Sequence, residues 1–433
     1  MQQVAERWGE TAWKGRFFTI WLGQAASLLG SSLVHFALIW WLTSTTGSAT
    51  VLALSTLAAL LPHILLSPFA GAVVDRSNRR FVMMVADGLI AVLTLGLVWV
   101  FAAGLAQVWH VYAVLFARSA LGAFHWPAMA ASTSLMVPEK SLSRVAGLNQ
   151  ALQGAVGIVA PPLGALMLAV LPMHQVLAID VVTALMAVLP LLFIRVPQPV
   201  RSVQSRGQSH GRGQISLIQD VRAGLRYVFT WPGLCIVCVM AAVINCVVNP
   251  AFSLLPILVT QHFGGQAMEL GWINAAYGVG VIAGGLALSA WGGFKRRIVT
   301  SMFGLACMGA GMIVIGAMPV TLFFIAVAGM TVAGAMHPIT NGPLFAVLQS
   351  TVAPDMQGRV MSLLNALATA TSPLSLLAAG PLSDAFGVQG WYVVGGILCI
   401  ALAATGYLTP AVANLEQGRP PLPLFSSEVR PNL

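Results

Sequence analysis

The chain has 433 residues, of which 58% are hydrophobic and only 8% are charged. A soluble domain carries roughly 25% charged residues, so this composition excludes a soluble protein and indicates one that crosses a membrane many times. The formal net charge of +9 would suit a nucleic-acid-binding protein, but the basic residues lie in short loops between apolar segments. We therefore expect no nucleic-acid partner.

Twelve apolar segments are long enough to cross a bilayer, because a spanning helix needs about 20 largely apolar residues. Six of them precede the one long polar segment and six follow it. They are Phe17–Thr43, Thr50–Val74, Phe81–Gly104, Val108–Ala131, Ala146–Leu171, Gln175–Ile194, Leu234–Thr260, Leu270–Trp291, Ile298–Ala317, Val320–Leu344, Val360–Asp384 and Gly390–Leu408. This pattern predicts an all-α polytopic membrane protein, with twelve transmembrane helices in two pseudo-symmetric six-helix halves at 1–194 and 234–410.

The polar segment at 195–233 joins the two halves. Its part at 202–214 is rich in Ser, Gly, Gln and Arg, which is typical of a flexible linker. Four apolar residues at helical spacing then predict an amphipathic helix at the membrane surface: Leu217, Val221, Leu225 and Val228. We expect the C-terminal residues 411–433 to form a disordered cytoplasmic tail.

The basic residues predict how the chain lies in the membrane. Twenty of the 21 lysines and arginines fall on one face, in the N-terminus, the loops after even-numbered segments, the linker and the tail. Loops on the cytoplasmic side of a membrane carry an excess of basic residues, so we expect both termini to be cytoplasmic. The remaining basic residue, Arg118, lies inside the fourth segment.

The loop between the second and third segments holds the candidates for a conformational gate: Gly71, Asp75, Arg76, Arg79 and Arg80. An Asp near Arg side chains and a helix N-terminus can form charge-assisted hydrogen bonds that break when two halves move. We predict that Asp75 and Arg79 hold the cytoplasmic side closed in one conformation. The alternative is that this loop is a topology signal alone.

Three acidic or basic side chains lie well inside the predicted spans, namely Asp87, Arg118 and Asp180. Each costs at least ~2.5–3.5 kcal/mol at mid-bilayer, so each needs a partner or water. Either acid can reach Arg118 in depth, and the sequence leaves open which one lies beside it. The three residues are candidates for proton coupling, and the alternative is a structural ion pair that holds helices in register.

Polar residues follow single helical faces in five of the segments, at steps of three or four residues. Such a stripe either lines a water-filled cavity or hydrogen-bonds to a neighbouring helix, and we favour the cavity. The candidates for substrate binding are Gln24, Ser27, Ser31, His35, Arg118, His125, Asn245, Asn249, His337, Asn341 and Asn365.

Motifs for enzymatic chemistry are absent from the sequence. It contains no Gly-x-x-x-x-Gly-Lys-Ser/Thr loop for nucleotide phosphates, no Gly-x-Ser-x-Gly elbow and no His-Glu-x-x-His motif. The five cysteines lie in apolar segments without the further Cys or His that a zinc site needs. We therefore expect no enzyme, no metal and no cofactor, and any transport would draw on an ion gradient.

From about residue 15 to 410 the sequence resembles the major facilitator superfamily of transporters. The loop at 71–80 matches that family's motif between helices two and three, and Arg118 with Gly122 is similar to its helix-four motif. The resemblance implies two six-helix halves that alternate access to a central substrate site. The helix-five antiporter motif of the family is present only in part, as Ala160-Pro161-Pro162-Leu163-Gly164-Ala165.

The closer similarity is to the macrolide-efflux branch of drug exporters. Three of the stretches that carry it are Thr19-Ile20-Trp21-x-Gly23-Gln24-Ala25, Ala123-Phe124-His125-x-Pro127-Ala128 and Gly358-Arg359-Val360. This similarity implies proton-driven antiport of hydrophobic drugs such as macrolides across a bacterial inner membrane, by a lipid-embedded protein that we expect to be a monomer. Export of a dedicated metabolite, such as a siderophore or a lysophospholipid, is the alternative. A non-transporting sensor or scaffold is a third reading, which would be expected to carry a folded soluble domain.

Overall fold

The computed structural model describes residues 12–194, 196, 225–352 and 354–417, which form helices and no strand. Twelve long helices lie in these residues: α1 (Ala12–Thr46), α2 (Ala49–Arg76), α3 (Arg79–Ala102), α4 (Val108–Met136), α5 (Glu139–Val170), α6 (Met173–Phe193), α7 (Pro232–Ser253), α8 (Ala267–Trp291), α9 (Arg297–Ala317), α10 (Phe323–Thr351), α11 (Pro354–Phe386) and α12 (Val388–Leu408). Each predicted segment corresponds to one of these helices, so the all-α class is confirmed.

Eleven of the helices contain a stretch that is long and apolar enough to cross a membrane, as far as the described residues go. The helix outside that set is α4, because Arg118, His110 and His125 interrupt its apolar sequence. A protein that crosses the membrane many times is therefore confirmed, whereas crossing by α4 stays a prediction. The position of α4 is consistent with that prediction, since α4 packs against α2 and α3.

Local sequence determines where several helices begin and end. The Ser48 hydroxyl accepts a hydrogen bond from the Val51 amide (3.3 Å) in the first turn of α2. The Asn78 side chain does the same for the Phe81 amide (3.4 Å) at the start of α3. These caps satisfy N–H groups that have no partner within the helix. Gly292 ends α8 with a φ of +76°, which side chains with a Cβ rarely adopt.

The two halves repeat the same helix pairs. In the first half α2 packs on α4, α3 on α6 and α1 on α5, and the second half pairs α8 with α10, α9 with α12 and α7 with α11. The halves meet where α2 packs against α11 and α5 against α8. In the repeat, α8 of the second half corresponds to α2 of the first, and α11 corresponds to α5. The α2–α11 contact therefore corresponds to the α8–α5 contact. The packing therefore agrees with two pseudo-symmetric six-helix halves.

Close contacts between the halves lie away from the basic loops. We call the end of the bundle that carries the loops at 77–78 and 292–296 the basic end, and the other the opposite end. A Cβ added to Gly380 would lie 2.8 Å from the Thr50 Cα, at the opposite end of α11 and α2. A Cβ on Gly271 would lie 3.0 Å from the Pro162 Cα, where α8 meets α5. Backbones approach this closely only where a side chain is missing.

The linker is described only at its C-terminal end. Residues 225–229 are helical, and Val228 and Trp231 are buried there. Leu217 and Val221, the first two residues of the predicted amphipathic helix, lie outside the described residues. The following helix, α7, begins at Pro232 and so two residues before the predicted boundary at 234.

The C-terminal segment corrects the predicted start of disorder at residue 411. A short helix covers Pro410–Ala413 and a 3-10 turn covers Leu415–Gln417. Val412 and Leu415 are buried, because this segment packs against α7, α9 and α10. The Glu416 carboxylate accepts a hydrogen bond from the Ile298 amide (2.5 Å) in the first turn of α9. Residues 418–433 lie outside the described part of the chain.

Candidate functional site

A cavity of about 700 Å³ lies between the two halves. Its walls come from α1, α2, α3, α4 and α5 of the first half, and from α7, α8 and the short helix Leu255–Ile257 after α7 of the second. Three residues predicted to bind substrate line it, namely Ser31, His35 and Arg118. A volume of this size is typical of sites for small molecules, which commonly occupy about 300–1,000 Å³.

Both halves line the cavity with a mixture of polar and apolar residues. We call the polar residues of the first half the polar wall, and the lining residues of the second half the second wall. The first half contributes most of the polar groups: Ser31, Ser32, His35, Thr56, Arg118 and Ser119. The second half contributes mainly apolar side chains, with two polar residues among them: Phe252, Ser253, Leu255, Pro256, Leu270 and Asn274. A ligand that fits both walls is therefore amphipathic.

The Arg118 guanidinium forms an ion pair with Asp180. Its Nη1 lies 2.5 Å from Asp180 Oδ2 and donates to the Thr94 hydroxyl at 2.6 Å. The Thr94 hydroxyl donates in turn to Asp180 Oδ2 (3.1 Å), and the Ser31 hydroxyl donates to Asp180 Oδ1 (3.0 Å). The sequence left two acids open as the partner of Arg118, and the structure selects Asp180.

Asp87 lies in a separate cluster of three helices. Gln24 on α1 donates from Nε2 to Asp87 Oδ2 (2.9 Å). His125 on α4 places its Nε2 3.2 Å from Asp87 Oδ1, without the geometry of a hydrogen bond. Asp87 and Gln24 are both buried. This carboxyl group thus has a neutral amide and an ionisable imidazole as neighbours, and no arginine among the described residues.

Comparison with known proteins identifies the family of the chain. The family model described as Major Facilitator Superfamily matches residues 20–372. The chain belongs to the Major Facilitator Superfamily. It is 32% identical over 404 residues to macrolide efflux protein A of Streptococcus pyogenes, covering 93% of this chain and 98% of that protein. It is 27% identical over 425 residues to the multidrug efflux pump Tap of Mycolicibacterium fortuitum, covering 94% and 99%.

The fold is also similar to solved structures of transporters. A bacterial homologue of the human lysosomal transporter Spinster, in an inward-facing and unoccupied conformation, aligns with a TM-score of 0.68 at 15% identity. The alignment covers 94% of this chain and 97% of that one. At this identity the likeness shows the fold alone. Membership of the superfamily makes this chain a transporter of a small molecule and not an enzyme.

The motif of the Major Facilitator Superfamily between α2 and α3 anchors helices of the first half to each other. Arg79 Nη1 donates to the Ala131 carbonyl (2.9 Å) in the last turns of α4. Arg80 Nη2 donates to the Leu192 carbonyl (2.7 Å) at the end of α6, and its Nε donates to the neighbouring Leu191 carbonyl. Arginines in this position satisfy helix-terminal carbonyls and interact favourably with the helix dipole.

The other predicted gate residues are placed as follows. A Cβ added to Gly71 would meet no atom within 4 Å, and Arg76 is the exposed last residue of α2. The Asp75 side chain lies outside the described part of the structure. The gate role of this loop therefore stays a prediction.

The polar residues of the second half form hydrogen bonds within their own helices and, in one case, to a neighbouring helix. Asn249 Nδ2 on α7 donates to the Ser372 hydroxyl on α11 (2.8 Å) and to Asn245 Oδ1 (3.2 Å). Asn341 Nδ2 donates to the His337 carbonyl (3.0 Å) within α10. Neither these four candidates nor Gln24, Ser27 and His125 belong to the lining of the cavity. The Asn365 side chain lies outside the described residues.

Some cavity residues were missed by sequence reasoning. Ser119 and Thr56 belong to none of the predicted polar stripes, and Asn274 is the single amide of α8. The adjacency of Ser119 to Arg118 is a signal that would have pointed to it. Phe252 gives no such signal, because an aromatic residue in a membrane helix is ordinary.

A contact between the halves at the opposite end was also missed. The Asp384 carboxylate, at the end of α11, accepts hydrogen bonds from the Ser48 hydroxyl (3.0 Å) and the backbone amides of Ala49 (2.6 Å) and Thr50 (3.0 Å). These groups form the start of α2, where a negative charge is favoured by the helix dipole. Gln261 adds a hydrogen bond from its amide to the Gly47 carbonyl.

Proposed function

We propose that this transporter exports hydrophobic drugs by alternating access between its two halves. The observation that carries the proposal is the full-length similarity to the macrolide and multidrug efflux proteins described above. The cavity between the halves supports it, since its volume and the apolar residues of its lining suit a drug-sized hydrophobic molecule. Large apolar side chains such as Phe193, Phe386 and Leu408 are exposed, as expected of a surface that contacts lipid.

The protein functions as a monomer in a bacterial inner membrane, with both termini in the cytoplasm. This orientation rests on the basic loops. It places the contact of Asp384 with α2 on the outer side, so the conformation described is inward-facing.

Export is driven by proton antiport, with Asp87 and His125 as the groups that exchange the proton. Asp180 is fully buried and already accepts hydrogen bonds from Arg118, Ser31 and Thr94, so both of its oxygens are engaged by fixed donors. Asp87 accepts one hydrogen bond, from the Gln24 amide, and lies beside the His125 imidazole. A proton can pass between the Asp87 carboxyl group and this imidazole. The cluster joins α1, α3 and α4, so its charge state affects how these helices pack.

Export of an anionic metabolite is the second candidate. The observation that favours it is that Arg118 is the cavity's ionised side chain, as far as the described residues show, and guanidinium groups bind carboxylates and phosphates. Such a substrate would be a siderophore or a lysophospholipid.

Purified protein in liposomes distinguishes these possibilities. A labelled macrolide, a ferric siderophore and a lysophospholipid are each offered under an imposed proton gradient, with and without a protonophore. We expect gradient-dependent movement of the macrolide that the protonophore abolishes. Movement of the siderophore or lysophospholipid alone supports the second candidate, and gradient-independent macrolide movement rejects proton coupling.

A further inference from the structure

The cavity offers hydrogen-bond donors but no carboxylate. Neither Asp nor Glu is among its described lining residues, and Asp180 is fully buried behind the side chains that bind it. Arg118 lines the cavity with 12% of its side chain exposed. A cationic ligand would therefore find no negative partner here, and an unpaired charge out of water is costly.

Several donors on the polar wall have no partner among the described residues. Arg118 uses Nη1 for Thr94 and Asp180, which leaves the N–H groups on Nε and Nη2. His35, which lines the cavity from α1, is exposed and makes no hydrogen bond to a described residue. The Ser119 hydroxyl also lacks a partner in the part of the chain that the structure describes, but it is buried and is not presented to a ligand. Guanidinium groups donate only, and they match oxygen acceptors.

We infer that this site selects its substrate through oxygen acceptors, and that positive charge on the substrate contributes nothing to binding. This inference rests on the proposed export function and names the substrate class. The ligand is a neutral or anionic amphiphile whose carbonyl, hydroxyl or acidic oxygens face Arg118 and His35. Its apolar part lies against the second wall, around Phe252 and Leu270. A macrolide fits through its oxygen-rich ring, and its amino sugar is dispensable.

Equilibrium binding to the purified full-length protein in detergent tests this selectivity. The probes are erythromycin, its sugar-free aglycone, and tetraphenylphosphonium, a hydrophobic cation without oxygen acceptors. We expect the aglycone to bind within about tenfold of erythromycin, and the cation to bind at least about tenfold more weakly than the aglycone. Tetraphenylphosphonium binding more tightly than the aglycone would overturn the inference, because aromatic residues such as Phe252 would then be binding the cation.

A matched pair of variants tests the role of the donors. His35→Leu removes one donor from the polar wall, and we expect aglycone affinity to fall about three- to tenfold, as for one lost hydrogen bond. His174→Leu at the start of α6, which does not line the cavity, serves as the control and should bind as the wild type does. Unchanged aglycone binding by His35→Leu contradicts the inference.

The export assay distinguishes failure of the proposed export function from failure of the proposed recognition of oxygen acceptors. If liposomes export the macrolide but the cation competes as well as the aglycone, export stands and acceptor recognition fails. If no probe binds and no macrolide moves, the proposed export function fails, and acceptor recognition fails with it.

Discussion

The Arg118–Asp180 pair is the most deeply buried charge interaction in the described residues. It joins α4 to α6, and Ser31 and Thr94 extend it to α1 and α3. A buried pair of this kind adds little net stability over an apolar pair, but removing one partner typically costs about 3–5 kcal/mol. The pair can therefore be both a structural tie of the first half and the positively charged edge of the cavity.

Arg118→Ala is expected to abolish uphill export and to retain part of the downhill equilibration, because Asp180 loses its counter-ion and the cavity loses a donor. Arg118→Lys should restore export only in part, since an ammonium lacks the planar fork of the guanidinium. Efflux against a gradient and downhill equilibration, at about pH 6 to 8, measure both effects. Wild-type uphill export by Arg118→Ala would contradict a transport role.

A double variant separates the structural role of this pair from its transport role. Replacing Arg118 and Asp180 together with Leu removes both charges, so thermal stability in detergent should recover by about the amount that Arg118→Ala loses. We expect uphill export to stay absent. Recovered export would show that the pair only holds helices together.

Asp87→Asn is expected to lower uphill export at least about tenfold and to leave downhill movement near the wild-type rate. The amide can still accept the hydrogen bond of Gln24, so the packing is kept while the exchangeable proton is lost. Asp87→Glu, which retains a carboxyl group, is the matched control. The idea fails if the Asn variant pumps normally under a proton gradient.

At the scale of the helices, most of the architecture could be predicted from the sequence. Apolar length in the sequence predicted all twelve long helices, because a spanning helix needs about 20 largely apolar residues, although α4 is less apolar than the other eleven. The same rule missed Asp384, which was read simply as the last residue of a span. Its role depends on where α11 ends relative to the start of α2, a tertiary fact that hydropathy does not encode. The tail was misread for a related reason, since Val412 and Leu415 are too few to form an apolar segment and are buried only by α7, α9 and α10.

Asp384→Ala is expected to shift the protein toward the conformation that is open at the opposite end. The loss of an exposed helix cap costs about 0.5–1 kcal/mol, which corresponds to a two- to fivefold change in the populations. Distances between spin labels on α2 and α11 at that end measure the shift. Ser383→Ala is the control, because the Ser383 hydroxyl has no hydrogen bond to a described residue. An unchanged distance distribution in Asp384→Ala would rule out this contact as a determinant of conformation.

For the whole molecule, an aspartate lies toward each end of the helix pair α2 and α11, which packs across the two halves. Asp384 precedes the end of α11 by two residues, and Asp75 precedes the end of α2 by one. If the halves rock about this contact, the two carboxylates act in opposite conformations, one at each end. The sequence predicted Asp75 from a motif, whereas its partner in the cycle became visible only from the packing.

Asp75→Asn is accordingly expected to reduce transport strongly while the protein level in the membrane stays near normal. The reason is that the variant loses a charge-assisted contact in only one of the two conformations. Transport rates and membrane abundance are measured together, with Asp384→Asn as the counterpart at the other end. Unchanged export in Asp75→Asn would reduce the loop to a topology signal.

The contact of Glu416 with α9 also sets an order of events during biosynthesis. The Ile298 amide at the start of α9 is synthesised 118 residues before its acceptor, the Glu416 carboxylate. At about 5–20 residues per second, the ribosome needs on the order of ten seconds to supply it. Until then the Ile298 N–H, beside Arg296 and Arg297, lacks this acceptor. The second half therefore completes its surface at the basic end only after residue 416 has been synthesised, and a nascent protein that stalls before residue 416 lacks this cap on α9.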